Sequence, residues 1–167
     1  MMKTKKFIMV VLSVIMVMSA LCASGCSIKR GNSLNDSAPD IALPAHEFSY
    51  TLSTKLNTAI STITKRMSVA KTISYGKATD VESEINNVAN SIDTINEIIN
   101  ELSLLKPASG YERDLAESLN LLKSVKQTLN DYSDALNNEN YEELENIIST
   151  LESQNISLMG YCNSSYK

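Results

Sequence analysis

The sequence predicts an all-α protein, an up-down-up-down four-helix bundle. Apolar residues recur three and four apart over long segments, which is the helical period. Breakers are sparse and evenly placed: beyond residue 45 the only glycines and prolines are Gly76, Pro107, Gly110 and Gly160. No stretch alternates apolar and polar residues as a half-buried strand would. Short turns between long helices force consecutive helices to run antiparallel. The bundle is expected over residues 46–162, with 163–167 as a tail.

The first helix is expected over about residues 47–75. Its apolar stripe is Phe48, Leu52, Leu56, Ile60, Ile63, Met67, Ala70 and Ile73, and Gly76 suits a left-handed C-terminal cap. The second carries Ala78, Val81, Ile85, Val88, Ile92, Ile95, Ile99 and Leu102 in nearly strict alternation of three and four. Thr79 and Glu82 have the spacing of a capping box at its start, and Pro107 closes it by pushing the preceding residue out of helical geometry. A second box, Ser109 with Glu112, opens the third helix. That helix continues through Tyr111, Leu115, Leu119, Leu122, Val125, Leu129, Tyr132 and Leu136. Asn137-Asn138-Glu139-Asn140 is the next turn, where Asn140 is expected to cap with Glu143 reaching back. The fourth helix carries Tyr141, Leu144, Ile148, Leu151 and Leu158 and ends near Gly160. Asn155 falls where its stripe expects an apolar residue, unless Ile156 takes that place.

Charge predicts the neighbour order. Helix 1 is basic, with Lys55, Lys65, Arg66 and Lys71 against Glu47. Helix 2 carries Asp80, Glu82, Glu84, Asp93, Glu97 and Glu101, and helix 4 carries Glu142, Glu143, Glu145 and Glu152. An up-down-up-down order places the basic helix between the two acidic ones. Surface pairs are weak, so they choose among arrangements that bury the stripes equally well.

Ahead of the bundle, residues 1–25 read as a leader. Lys3, Lys5 and Lys6 precede an apolar run over residues 7–21 broken only by serines, a length suited to a signal peptide and short of the roughly 20 apolar residues a spanning helix needs. Ala23-Ser24-Gly25-Cys26 then places small side chains before a cysteine. This stretch resembles a lipobox, the processing site of bacterial lipoproteins, departing from it at Ala23, where the family usually has Leu. The resemblance implies cleavage before Cys26, a diacylglycerol joined to the Cys26 thiol by a thioether, and a protein held on the extracytoplasmic face of a bacterial membrane. Cys22 suits the site less well, since Leu21 would stand at the cut. Residues 26–45 then form the lipidated cysteine and a flexible linker, with Gly31, Asn32, Ser33, Asn35, Asp36, Pro39 and Pro44 and few apolar residues. Its root-mean-square reach is roughly 24 Å. In layout alone the domain resembles small all-helical bacterial lipoproteins of unknown function.

Composition narrows the functions. Loss of Lys3, Lys5 and Lys6 with the leader takes Lys+Arg from 15 to 12 against 19 acidic residues, a net charge of −7. Nucleic-acid binding is not expected of so acidic a chain, and the lipid rather than a basic patch must hold it to the membrane. Richness in Asn, Ser, Ile and Lys suggests an AT-rich genome and a Gram-positive host, for which the address is the cell membrane. Of three cysteines, Cys22 leaves, Cys26 is acylated and Cys162 stays single, so no internal disulfide forms and a monomer is expected.

Catalytic patterns are missing. The single histidine, His46, excludes His-rich metal sites and HExxH, and no P-loop, GxGxxG or GxSxG occurs. Neither an enzyme nor a cofactor or metal is expected. His46 and Cys162 fall at one end of an up-down bundle, but a Cys–His nucleophile needs a preorganised site, which terminal turns supply poorly, so an idle or half-buried thiol is expected. Tyr50, Tyr111 and Tyr161 fall at that membrane-proximal end and Tyr75, Tyr132 and Tyr141 at the other, their rings expected to close the core with hydroxyls in water. The leading expectation is a non-catalytic interaction or scaffold module of the cell envelope with a protein partner. The alternative is a binder of a small ligand or cell-wall fragment, through a bundle cavity or the end lined by Tyr50, Tyr111 and Tyr161.

Overall fold

A computed structural model describes residues 43–77 and 79–164. The leader, Cys26, nearly all of the linker and residues 165–167 lie outside them. Four helices follow one another: α1 Ala45–Ser74, α2 Val81–Ser103, α3 Glu112–Asn137 and, after a single 3-10 turn at Tyr141–Glu143, α4 Leu144–Ser164. Among the described residues there is no strand, so the expected four-helix bundle is borne out.

The helix ends show how local sequence sets these limits. Gly76, at φ 66°, donates to Ile73 O at 2.8 Å while Lys77 N–H reaches Thr72 O, the paired bonds of a Schellman cap. At α2 the capping side chain is Asp80, which accepts from Ser83 N–H at 3.0 Å, one residue later than the expected Thr79. The helix ends at Ser103, before Pro107 can interrupt it. At α3 no side chain caps from the N-cap position, Tyr111; Glu112 instead takes the Gly110 N–H at 2.9 Å. Asn140 likewise makes no side-chain cap.

The α3–α4 turn carries strain. Asn140 N–H reaches Ala135 O and Glu139 N–H reaches Leu136 O, a second Schellman cap, and the left-handed residue in it is Glu139 at φ 55° rather than an asparagine. A left-handed non-glycine residue costs about 1–2 kcal/mol, whereas glycine adds about 0.5–1 kcal/mol of unfolded-state entropy. Glu139→Gly is therefore expected to stabilise the fold by about 0.5–1 kcal/mol, read as a higher urea midpoint. A lower midpoint would show that the Glu139 side chain contributes more than its backbone costs.

Neighbour order follows the charges. α1 packs most extensively against α4, and α2 against α3; α1 meets α2 and α3 meets α4 along smaller contacts, while α2 and α4 do not touch. Among the described residues, ion pairs join α1 to the acidic helices beside it: Lys55 with Glu101 and Arg66 with Glu84 on α2, and Lys71 with Glu152 on α4. The core runs the length of the bundle, from Phe48 and Leu102 near one end to Leu136 and Leu144 near the other.

Two helices present a different face from the one expected. On α2 the buried line is Glu84, Val88, Ser91, Ile95, Ile98, Ile99 and Leu102, with Ile85 and Ile92 only half-buried. On α4 neither Asn155 nor Ile156 takes the core position; Gln154 does, donating to Ser124 Oγ and Thr128 Oγ1 of α3 at 3.0 Å each. Asn155 is half-buried beside α1, its amide 3.4 Å from Thr64 Oγ1, and Ile156 faces solvent. Among the described residues no helix is long and apolar enough to cross a membrane.

Candidate functional site

Antiparallel packing gives the bundle a base, where α1 and α3 begin and α2 and α4 end, and a tip at the opposite end. In the tip half, Glu84 of α2 is only 2% exposed. Its Oε2 accepts from the Arg66 guanidinium of α1 at 2.5 Å, and its Oε1 accepts from the Tyr132 hydroxyl of α3 at 3.1 Å. Burial pushes the Glu84 carboxyl above the ordinary carboxylate range; Arg66, Tyr132 and Asn87 pull it down without cancelling that effect. Burial first, then the neighbouring carboxylate, raises the Tyr132 hydroxyl well above its usual value, so it stays a proton donor. Tyr132 is therefore fully buried with its hydroxyl on Glu84, correcting the expectation of a ring closing the tip with its hydroxyl in water. The triad ties three helices together. Glu84 and Tyr132 are buried within it and the Arg66 side chain is nearly so.

At the base, the three sequence-selected tyrosines have separate surroundings. Tyr111 is half-buried and lays its ring against Phe48, centroids 5.4 Å apart and planes at 54°. The Tyr161 hydroxyl donates to Glu117 Oε2 at 2.8 Å, and Arg113 Nε donates to the other carboxylate oxygen at 2.7 Å. These two hydrogen bonds lower the Glu117 pKa and raise those of its partners. Together with Asp114, Ser157 and Gly160 they line an open groove of about 470 Å³ between the start of α3 and the end of α4. Tyr50 lies two residues from the buried Phe48, about 200° around the helix, and is exposed to solvent.

His46 and Cys162 also have separate environments. The His46 side chain is 82% exposed, with Nε2 3.9 Å from Glu47. Cys162 is buried, and its thiol donates to Ser53 O at 3.7 Å, seven residues along α1 from His46. Among the described residues no group of three or more His, Cys, Asp or Glu could hold a metal ion.

Sequence reasoning missed Glu84 and Gln154 as interior residues. A signal for Glu84 was present: positions 81, 84, 88, 91, 95, 98 and 102 also keep a strict alternation of three and four, and that seam places Glu84 and Ser91 inside. Preferring Ile85 and Ile92 for their side chains hid it. For Gln154 no comparable signal exists. Compared with protein-family models, with curated proteins and with solved structures, the chain matches none.

Proposed function

We propose that the protein is a lipid-anchored, extracytoplasmic helical module of the bacterial cell envelope that works by interaction and not by catalysis. The observation that carries this reading is Ala23-Ser24-Gly25-Cys26 beneath a basic and then apolar leader. A peptidase that cuts before Cys26 exposes the cysteine whose thiol bears the lipid, and the bundle is then displayed outside the membrane. The bundle interior supports an interaction role: among the described residues it is lined mainly by Leu, Ile, Phe and Tyr side chains, and the one buried carboxylate is held by Arg66 and Tyr132. The negative balance of the mature chain disfavours nucleic acid as a partner.

Cys26→Ser is expected to abolish incorporation of labelled palmitate and to shift the protein from the membrane fraction to the soluble fraction. Cys22→Ser is expected to leave labelling intact. Labelling that survives Cys26→Ser and disappears with Cys22→Ser would move the anchor; labelling of neither wild type nor variants would remove it.

A further inference from the structure

The exposed apolar side chains are unevenly distributed along the bundle. Among the described residues, the large aliphatic side chains left in water are Leu104 at 86%, Ile156 at 70% and Met159 at 47% exposure. All three lie in the base half: Leu104 caps the end of α2, and Ile156 and Met159 lie on the last turns of α4. Tyr50, on the second turn of α1, is exposed in the same half. Among the described residues, the tip half exposes only Tyr75 and Tyr141 of its large hydrophobic side chains. Charge follows the opposite gradient. Around the tip stand Asp80, Glu82, Glu139, Glu142, Glu143 and Glu145, all exposed, with Lys77 beside them. The base is acidic too, with Glu47 and Glu112 exposed and Asp114 half-buried, but there Glu101 is paired with Lys55 and Glu117 with Arg113.

Chain connectivity decides which end meets the membrane. The segment from Cys26 joins the bundle at Ala45, which lies at the base. We infer that the base, which exposes Leu104 at the end of α2, Tyr50 on the second turn of α1 and Met159 on the last turns of α4, is a foot that rests in the interfacial layer of the lipid bilayer. This rests on the lipid-anchor reading above and adds an orientation to it. Aliphatic and tyrosine side chains are the types that gain from leaving water for that layer. The tip carries more exposed carboxylates than the base, so an anionic bilayer repels it more and electrostatics turns the bundle the same way. The contact is small, yet a tether keeps the foot at high effective concentration over the surface, so weak affinity is enough. The tip is thereby held outward, with Tyr75 and Tyr141 presented away from the membrane.

The chain has no tryptophan, so one introduced residue reports alone. Full-length lipidated Leu104→Trp and Tyr75→Trp are reconstituted separately in phosphatidylglycerol–phosphatidylcholine vesicles, with and without bromine on the acyl chains. Both sites are exposed, so both variants keep the core intact. Leu104→Trp is expected to emit at shorter wavelength and to be quenched several-fold more by brominated lipid than Tyr75→Trp. If both variants float with the vesicles and neither is quenched, or Tyr75→Trp is quenched instead, the foot is overturned while the anchor stands. If neither floats with the vesicles, the anchor reading fails and the foot fails with it. A Leu104→Trp blue shift in native membranes but not in pure vesicles would overturn the bilayer in favour of a protein on the same surface.

Discussion

Arg66→Ala is expected to destabilise the bundle by about 3–5 kcal/mol at neutral pH, because it leaves a buried carboxylate without its cation. Glu84 is only 2% exposed and bonds to the Arg66 guanidinium at 2.5 Å, and burial already holds its carboxyl above the ordinary range. Without Arg66 the carboxyl rises further, while the unfolded chain keeps a value near about 4.3. A raised folded pKa means that the unfolded state releases its proton first, so stability is lost as pH rises from the unfolded value through the folded one. The cost of Arg66→Ala is therefore expected to be smallest near about pH 4 and to grow towards neutrality. In the wild type the contribution of Glu84 is expected to run in the same direction more weakly. Urea unfolding of both proteins across that range measures it. Replacing the triad together, as Arg66→Met, Glu84→Leu and Tyr132→Phe, is expected to recover most of the loss, since apolar groups of similar size replace buried ions at little cost. A loss below about 1 kcal/mol at pH 7, the scale of an exposed pair, or one equal at both ends of the range, would show that the triad is solvated.

Phe48→Ala should cost about 3–5 kcal/mol, the range for emptying a buried aromatic site. Phe48 is fully buried, and its ring rests on Tyr111 at the N-cap of α3. Such pairs add about 0.5–1.5 kcal/mol beyond their buried area. The effect should be local as well as large: amide exchange is expected to speed up in the first turns of α1 and α3 before it does near Leu136 and Leu144. Phe48→Leu, which keeps most of the volume, should lose less than about 1.5 kcal/mol. Uniform loss of protection along the bundle would show that the base is not a separate closing unit.

Much of the fold was legible because it rests on local rules. Gly76 announced a left-handed cap, and the predicted stripe of α1 lies on its buried face except at Ile60, which is half-buried, while Ser49, Ser53 and Ala59 are buried there as well. The turn after α3 was legible as a turn, but Glu139 and not an asparagine takes the strained position, because the bonds to Ala135 and Leu136 select a place in the chain and not a residue type. The tyrosines were sorted correctly to the two ends. Their environments were not, since Tyr132 depends on a carboxylate 48 residues away.

The division follows the range of the interactions. Helix limits were in the sequence only to within a few residues, since the caps expected at Thr79, Ser109 and Asn140 are not the ones used. Neighbour order was there, because net charge differs strongly between α1 and the helices beside it. The rotation of α2 about its own axis was not. Glu84 and Ile85 stand about 100° apart on the helix, both at the margin of the apolar stripe, and local periodicity admits either one inside. Arg66, 18 residues before Glu84, and Tyr132, 48 residues after it, decide the matter. Burying the carboxylate is tolerable only where a guanidinium and a hydroxyl from two other helices already meet it. Only the assembled bundle brings those three groups to one place.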